Sequence, residues 1–224
     1  MNAIEEKQKQ VEATLRLAPV VAVVVIDALA DAVPLARALV SGGIKAIEVT
    51  LRTPVALDAI RAIAGEVEGA VVGAGTLLTP ADIAAAERAG ARFGVSPGVT
   101  PALLGAADDS PLPYLPGAAT ATEAMQLLER GYRFQKFFPA TQAGGPDYLR
   151  ALASPLPAIR FCPTGGITAA TAHDWLGLPN VICVGGSWMC SSKLMHAGNF
   201  PAIEELARAA AALPPSRLAG AEAV

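Results

Sequence analysis

The 224-residue sequence lacks any apolar run long enough to cross a membrane: Val20–Ile26, its longest, has seven residues where a span needs about 20. A soluble, cytoplasmic protein is expected. Glu5 and Glu6 ahead of that run, and Asp27 directly after it, speak against a secretory leader. An excess of charge of one sign is missing too. The 17 Lys and Arg are balanced by 20 Asp and Glu, net charge -3, with no basic cluster to track a phosphate backbone, so nucleic acid is not an expected partner. Three cysteines, Cys162, Cys183 and Cys190, form no Cys-x-x-Cys spacing and read as reduced thiols in an intracellular core. There are two histidines, His173 and His196, and neither falls at a strand end with ligand spacing. A metal-dependent mechanism is not expected.

What the chain has is apolar residues, 53% of the total, in a repeating order. Val20–Ile26 is short, β-branched and apolar at every position, which suits a strand buried on both faces. A helix-spaced stretch then runs from Asp31, the expected N-cap, to Gly42-Gly43. Further strands are expected at 46–50, 70–74, 93–96, 114–116, 134–138, 159–162 and 181–184, eight in all. Thr53-Pro54, Thr79-Pro80 and Thr100-Pro101 mark helix starts, a capping hydroxyl followed by proline at the first helical position.

Strand-end landmarks Glu48, Gly75, Ser96, Pro116, Lys136, Thr164 and Gly186 follow one another at 27, 21, 20, 20, 28 and 22 residues. That period predicts an α/β single-domain (β/α)8 TIM barrel over about 19–213, with an additional N-terminal helix over about 4–18 and a frayed tail at 214–224. The alternative, a doubly wound open sheet, usually carries a glycine-rich dinucleotide fingerprint after its first strand, and none stands there. The apolar stripe Ile4, Val11, Leu15, Ala18 predicts that the extra helix caps the barrel.

In such a barrel chemistry sits at the C-terminal ends of strands. Of the five lysines, Lys136 alone lies in an apolar run; the others lie at the terminus (Lys7, Lys9), before a strand (Lys45) or in a loop (Lys193). Alternation places Phe134, Lys136 and Phe138 on one face, an aromatic setting that is costly for an ammonium ion and suited to a neutral, nucleophilic amine. Ala46, Glu48 and Thr50 share the inward face of the second strand, with Arg52 just beyond. A structural Glu48–Lys136 ion pair and a general acid/base with a carboxylate-clamping arginine are both open here. Gly73-Ala74-Gly75-Thr76 would let backbone amides and the Thr76 hydroxyl approach a ligand. Thr164-Gly165-Gly166 and Gly185-Gly186-Ser187 follow the last two strands, where barrels often bind phosphate; two tight strand-to-helix turns are the plain alternative.

The segments EVTLRT (48–53), GAGT (73–76), VSPG (95–98), KFFPA (136–140), FCPTGGI (161–167) and VGGSW (184–188) closely resemble the 2-dehydro-3-deoxy-6-phosphogluconate (KDPG) aldolases. The resemblance spans Ala18 to about Leu213. It implies a class I aldolase, a homotrimer, that cleaves KDPG to pyruvate and glyceraldehyde 3-phosphate and in many members also handles 4-hydroxy-2-oxoglutarate. Carried over residue by residue, it makes Lys136 the Schiff-base lysine and Glu48 the proton shuttle. Arg52 and Thr76 would hold the pyruvyl carboxylate, and Pro97 and Phe138 would line the pyruvyl pocket. Thr164 would meet the substrate hydroxyl, while Gly165, Gly166, Gly186 and Ser187 would hold the phosphate. The imine forms on the protein, so no cofactor and no metal are implied. Sister enzymes for the galactonate epimer tend to carry an apolar residue at the Thr164 position, which leans this chain toward the gluconate epimer. Ala22 and Val25 depart from the first-strand pattern of many relatives, which bears on substrate preference. Within enzymes the alternative is a specialist for 4-hydroxy-2-oxoglutarate or for the galactonate epimer, and from another class it is a non-catalytic phosphate-binding barrel that kept the glycine turns.

Overall fold

The computed structural model describes residues 3–216. Nine strands run in chain order: β1 (Val20–Val24), β2 (Ala46–Thr50), β3 (Val71–Gly75), β4 (Gly94–Val95), β5 (Tyr114–Leu115), β6 (Gly117–Ala118), β7 (Phe134–Phe137), β8 (Arg160–Pro163) and β9 (Val184–Gly186). Helix α1 (Ala3–Leu15) precedes them. Between and after them lie α2 (Ala32–Ser41), α3 (Ala56–Glu66), α4 (Pro80–Arg88), α5 (Pro101–Asp109), α6 (Ala121–Glu129), α7 (Gly145–Leu152), α8 (Ala172–Leu176), α9 (Ser192–His196) and α10 (Phe200–Ala211).

Every strand pair is parallel, in an α/β fold whose strands form one sheet ordered β5-β4-β3-β2-β1-β9 and one ordered β6-β7-β8. Pro116 alone separates β5 from β6, and its carbonyl accepts from the Lys136 N–H at 2.8 Å. On the other side, parallel bridges pair Phe161 with Val181 and Thr164 with Gly185. The expected fifth strand is therefore split at Pro116, which has no N–H to give a ladder. The expected last strand starts later, at Val184, with Val181 joined by its bridge.

Alternation sorts the buried side chains into two clusters. Val20, Ala22, Val24, Ile47, Val49, Val72, Ala74, Phe137 and Phe161 face the helices. Val21, Ala46, Phe93, Val95, Leu115, Phe134, Cys162, Ile182 and Cys183 face inward, and Val11 and Leu15 of α1 complete that inner cluster. Of these, Val21, Ala46 and Phe134 sit in the first two residues of their strands and Phe93, Ile182 and Cys183 just before theirs, and α1 packs against that N-terminal end.

Local structure corrects several expectations. Helix α1 stops at Leu15, leaving Ala18 outside, and its buried face includes polar Lys7 and Gln8. Strand β1 ends at Val24, short of the expected Ile26, and threonine hydroxyls take carbonyls there: Thr50 donates to Val24 at 3.0 Å and Thr53 to Ile26 at 2.6 Å. Thr53, so engaged, does not cap, and α3 begins at Ala56. Asp31 stands before α2 but makes no capping hydrogen bond. Thr79 and Thr100 do cap, accepting from the N–H groups of Asp82 and Leu103. At the start of the expected tail Pro214 and Pro215 are exposed and Ser216 is buried, and Pro215 and Ser216 line a cavity shared with Leu15, Pro19 and Ile182. Residues 217–224 of the expected tail lie outside the described residues.

Candidate active site

Two residues beyond Ala46 on β2 and two beyond Phe134 on β7, the inward face carries Glu48 and Lys136. Each strand residue rises about 3.3 Å, so both stand one side-chain layer above the plugged end. Lys136 Nζ donates to Glu48 Oε1 at 3.0 Å, and both side chains are almost wholly buried, 6% and 4% exposed. The Phe138 ring lies with its centroid 5.4 Å from the same nitrogen, a cation–π contact when the amine is charged.

A second lysine turns out to be buried. Lys7, read from the sequence as lying at the terminus, donates from Nζ to the carbonyls of Ala107, Asp108 and Ser110 at 2.8, 2.8 and 2.9 Å. Burial lowers its pKa, against the opposing charges of Asp108 and Asp109. Three carbonyl acceptors at the end of α5 satisfy all three ammonium protons and use the helix C-terminal dipole. Lys136 has instead a carboxylate oxygen 3.0 Å from its nitrogen and an aromatic ring 5.4 Å away.

Gly75 ends β3 against Glu48. A β-carbon there would overlap Glu48 Oε1, Cγ and Cδ, so only glycine leaves room for the carboxylate. Thr76 follows with φ +62°, a left-handed conformation strained for a β-branched residue. That turn directs its hydroxyl to Arg52 Nε, which donates to Oγ1 at 3.3 Å. Arg52 is exposed and Thr76 half-buried, so a guanidinium and a hydroxyl stand toward the surface, next in sequence to the Gly75 that packs on Glu48. Pro97 is fixed from below. Tyr114 donates its hydroxyl to the fully buried Ser96 Oγ at 2.5 Å, and burial pushes the Tyr114 pKa up to about 12. A β-carbon on Gly117 would overlap the Pro97 carbonyl.

The glycine turns follow β8 and Val184 of β9. Gly165 and Gly166 have φ of +108° and +76°, and the Phe138 ring stands 3.4 Å from where a Gly165 β-carbon would be. Thr164 is buried with its hydroxyl against Gly185, where any side chain would overlap it. Gly186 makes room for the Trp188 ring, a packing reason for that glycine which the sequence reading did not contain. Ser187 is exposed. Glu48, Lys136, Phe138 and Gly165 thus form one contiguous set, Arg52 and Thr76 join it through Gly75, and Gly186 and Ser187 follow Gly185, which is bridged to Thr164.

Among the described residues no group of three or more His, Cys, Asp and Glu converges. His173 pairs with Asp174 on the surface and His196 is exposed. Cys162 and Cys183 are buried and free, their sulfurs 3.6 Å apart, and burial raises the Cys183 pKa well above the ordinary thiol value.

A family model described as "Aldolase: KDPG and KHG aldolase" matches residues 11–206. The chain belongs to the KDPG and KHG aldolase family. KHG/KDPG aldolase of Escherichia coli (strain K12) is 49% identical over 199 residues, covering 89% of this chain and 93% of that relative. The crystal structure of 2-keto-3-deoxy-6-phospho-gluconate aldolase from Zymomonas mobilis superposes with a TM-score of 0.86 at 46% identity, covering 91% of this chain and 97% of that one. A KDPG aldolase from Legionella pneumophila, solved with pyruvate captured at low pH as a covalent carbinolamine intermediate, gives 0.87 at 44%, covering 89% and 97%. In this KDPG and KHG aldolase family member a buried lysine amine stands 3.0 Å from a buried carboxylate oxygen.

No helix among the described residues is long and apolar enough to cross a membrane.

Proposed function

We propose that this chain is a class I aldolase that cleaves KDPG to pyruvate and D-glyceraldehyde 3-phosphate, with 4-hydroxy-2-oxoglutarate as a second substrate giving pyruvate and glyoxylate. The buried contact of Lys136 Nζ with Glu48 Oε1 carries the reading. Glu48 takes a proton from Nζ, and the neutral amine adds to the keto carbon C2 to give a carbinolamine. Loss of water, with Glu48 returning the proton to the leaving hydroxyl, gives a protonated imine. Glu48 then removes the C4 hydroxyl proton. The C3–C4 electron pair moves toward the imine nitrogen as the aldehyde departs, leaving the enamine of pyruvate. Protonation at C3 and hydrolysis release pyruvate and restore the amine. The protonated imine is the electron sink, so the sequence of steps needs no metal or cofactor.

Arg52 and Thr76 would receive the pyruvyl carboxylate, a guanidinium and a hydroxyl suiting an anion. Pro97 and Phe138 would line the pyruvyl pocket, and Thr164 would meet the substrate hydroxyl. Phosphate would sit between Gly165-Gly166 and Gly186-Ser187, where main-chain N–H groups and an exposed hydroxyl donate. We read the two sheets as one (β/α)8 barrel over about 19–213. The Pro116–Lys136 hydrogen bond on one side and the Phe161–Val181 and Thr164–Gly185 bridges on the other support that closure.

Borohydride reduction in the presence of pyruvate, followed by mass spectrometry of the peptide 133–150, tests the covalent step. A reduced pyruvyl adduct on Lys136 is expected. A folded protein with no adduct would end the aldolase reading and favour a non-catalytic phosphate-binding barrel. Turnover on KDPG, its galactonate epimer and 4-hydroxy-2-oxoglutarate then ranks the substrates.

A further inference from the structure

We infer that Thr141 is a positioning residue that aims the Gly165–Gly166 backbone at the substrate phosphate. The inference rests on the aldolase reading above and concerns a residue that touches neither the reacting atoms nor the phosphate.

Thr141 follows β7 by a few residues, in the loop beside the turn after β8. Three hydrogen bonds join that loop to the turn. The Ala140 N–H donates to the Thr164 carbonyl at 2.8 Å, the Thr141 N–H to the Gly165 carbonyl at 3.1 Å, and the Thr141 hydroxyl to the same carbonyl at 3.0 Å. In a trans peptide the carbonyl and the following N–H point in opposite directions. Drawing the carbonyls of Thr164 and Gly165 toward the β7 loop therefore turns the N–H groups of Gly165 and Gly166 the other way. Strand β8 lies between β7 and β9 through its ladder and bridges, so the other way is toward Gly185-Gly186-Ser187. The gap between those two turns is where a phosphate would be held.

The hydroxyl has a packing role in the same place. A β-carbon on Gly166 would come within 2.5 Å of Thr141 Oγ1, so the glycine both permits the left-handed turn and leaves room for the hydroxyl beneath it. Gly165 O accepts that hydroxyl in an exposed loop, and among the described residues Thr141 makes no hydrogen bond with Lys136 or Glu48. A defect at Thr141 should thus be felt by a phosphorylated substrate and ignored by one without phosphate.

The experiment compares wild type, Thr141→Val and Thr141→Ser on KDPG and on 4-hydroxy-2-oxoglutarate, which has no phosphate. Valine keeps the branched shape and the backbone N–H and removes the hydroxyl. For Thr141→Val, KM for KDPG is expected to rise about three- to tenfold, the worth of one exposed-to-half-buried hydrogen bond. Its kinetics on 4-hydroxy-2-oxoglutarate should stay within about twofold of wild type, and Thr141→Ser should restore KM for KDPG. Equal losses on both substrates, unchanged KM for KDPG, or no rescue by serine would each overturn the inference. A wild type that cleaves 4-hydroxy-2-oxoglutarate but not KDPG would overturn the phosphate role while leaving the Schiff-base reading standing. A wild type inert on both would overturn the aldolase reading itself.

Discussion

Gly75 and Glu48 share one space: the missing side chain of the glycine is the room in which the carboxylate lies against Lys136. Gly75→Ala forces Glu48 to swing aside or the β2–β3 pair to spread. Displacement of a catalytic group by about 1 Å costs on the order of 100-fold in rate. A loss of kcat on KDPG of about that size is expected, with a stability loss of about 1–3 kcal/mol from overpacking. Steady-state kinetics and urea unfolding check both. Wild-type kcat in the alanine variant would show that Glu48 need not lie where it does.

The buried pair should reveal itself by stability as well as rate. Glu48→Gln keeps the shape and removes the base, so turnover should fall by about 10²- to 10⁴-fold. Lys136→Met should abolish both turnover and borohydride trapping. Removing one member of a buried pair leaves the other uncompensated, at a cost of about 3–5 kcal/mol, whereas an apolar replacement of both is often neutral or stabilising. The double variant Lys136→Met/Glu48→Leu should therefore be more stable than Lys136→Met alone. Equal or lower stability would mean that the pair is held by more than mutual compensation.

Much of this site is readable in the sequence because period-2 alternation and strand-end position are local signals. Lys136 and Glu48 announce themselves as charges in apolar strands, and the Thr79 and Thr100 caps follow from hydroxyl-proline pairs. What is not legible depends on a partner far along the chain. Lys7 reads as a terminal lysine because its acceptors are about 100 residues away. Thr53 has the sequence of a cap, yet the Ile26 carbonyl takes its hydroxyl. Gly186 reads as a phosphate turn, and no pattern says that Trp188 packs upon it. Thr120 and Glu123 form a capping box whose Thr-x-x-Glu signal was there to be seen before α6. Thr141 carries no periodic mark at all.

Gln8 gives a test of how α1 is joined to the strands. Its side-chain amide donates to the Tyr114 carbonyl at 3.2 Å and accepts from the Phe134 N–H at 2.9 Å, joining the ends of β5 and β7 where the two strands do not pair. Gln8→Leu leaves a buried carbonyl and a buried N–H without partners, each costing about 1–3 kcal/mol. A loss of roughly 2–4 kcal/mol in urea unfolding is expected. A loss below about 0.5 kcal/mol would mean that water or a shift of α1 replaces the bonds.

The N-terminus of α6 offers a pH-dependent prediction whose sign follows from the hydrogen bonds. Glu123 Oε2 accepts from the N–H of Ala119 and from the N–H and hydroxyl of Thr120, at 2.8, 2.9 and 3.0 Å. The Ala119 N–H contributes most to holding its carboxyl below the ordinary value of 4.5, against a smaller opposing effect of burial, with Thr120 adding to the lowering. A carboxyl more acidic in the folded than in the unfolded chain lends stability that is complete above 4.5 and is lost as pH falls through its folded value. Glu123→Gln keeps an acceptor for the capping box and removes the charge from the helix N-terminus, worth about 0.3–1 kcal/mol. Wild type should therefore exceed Glu123→Gln by that amount at pH 7, and the two unfolding curves should converge as pH falls below 4.5. A difference that persists or grows in acid would assign the stabilisation to shape rather than to charge.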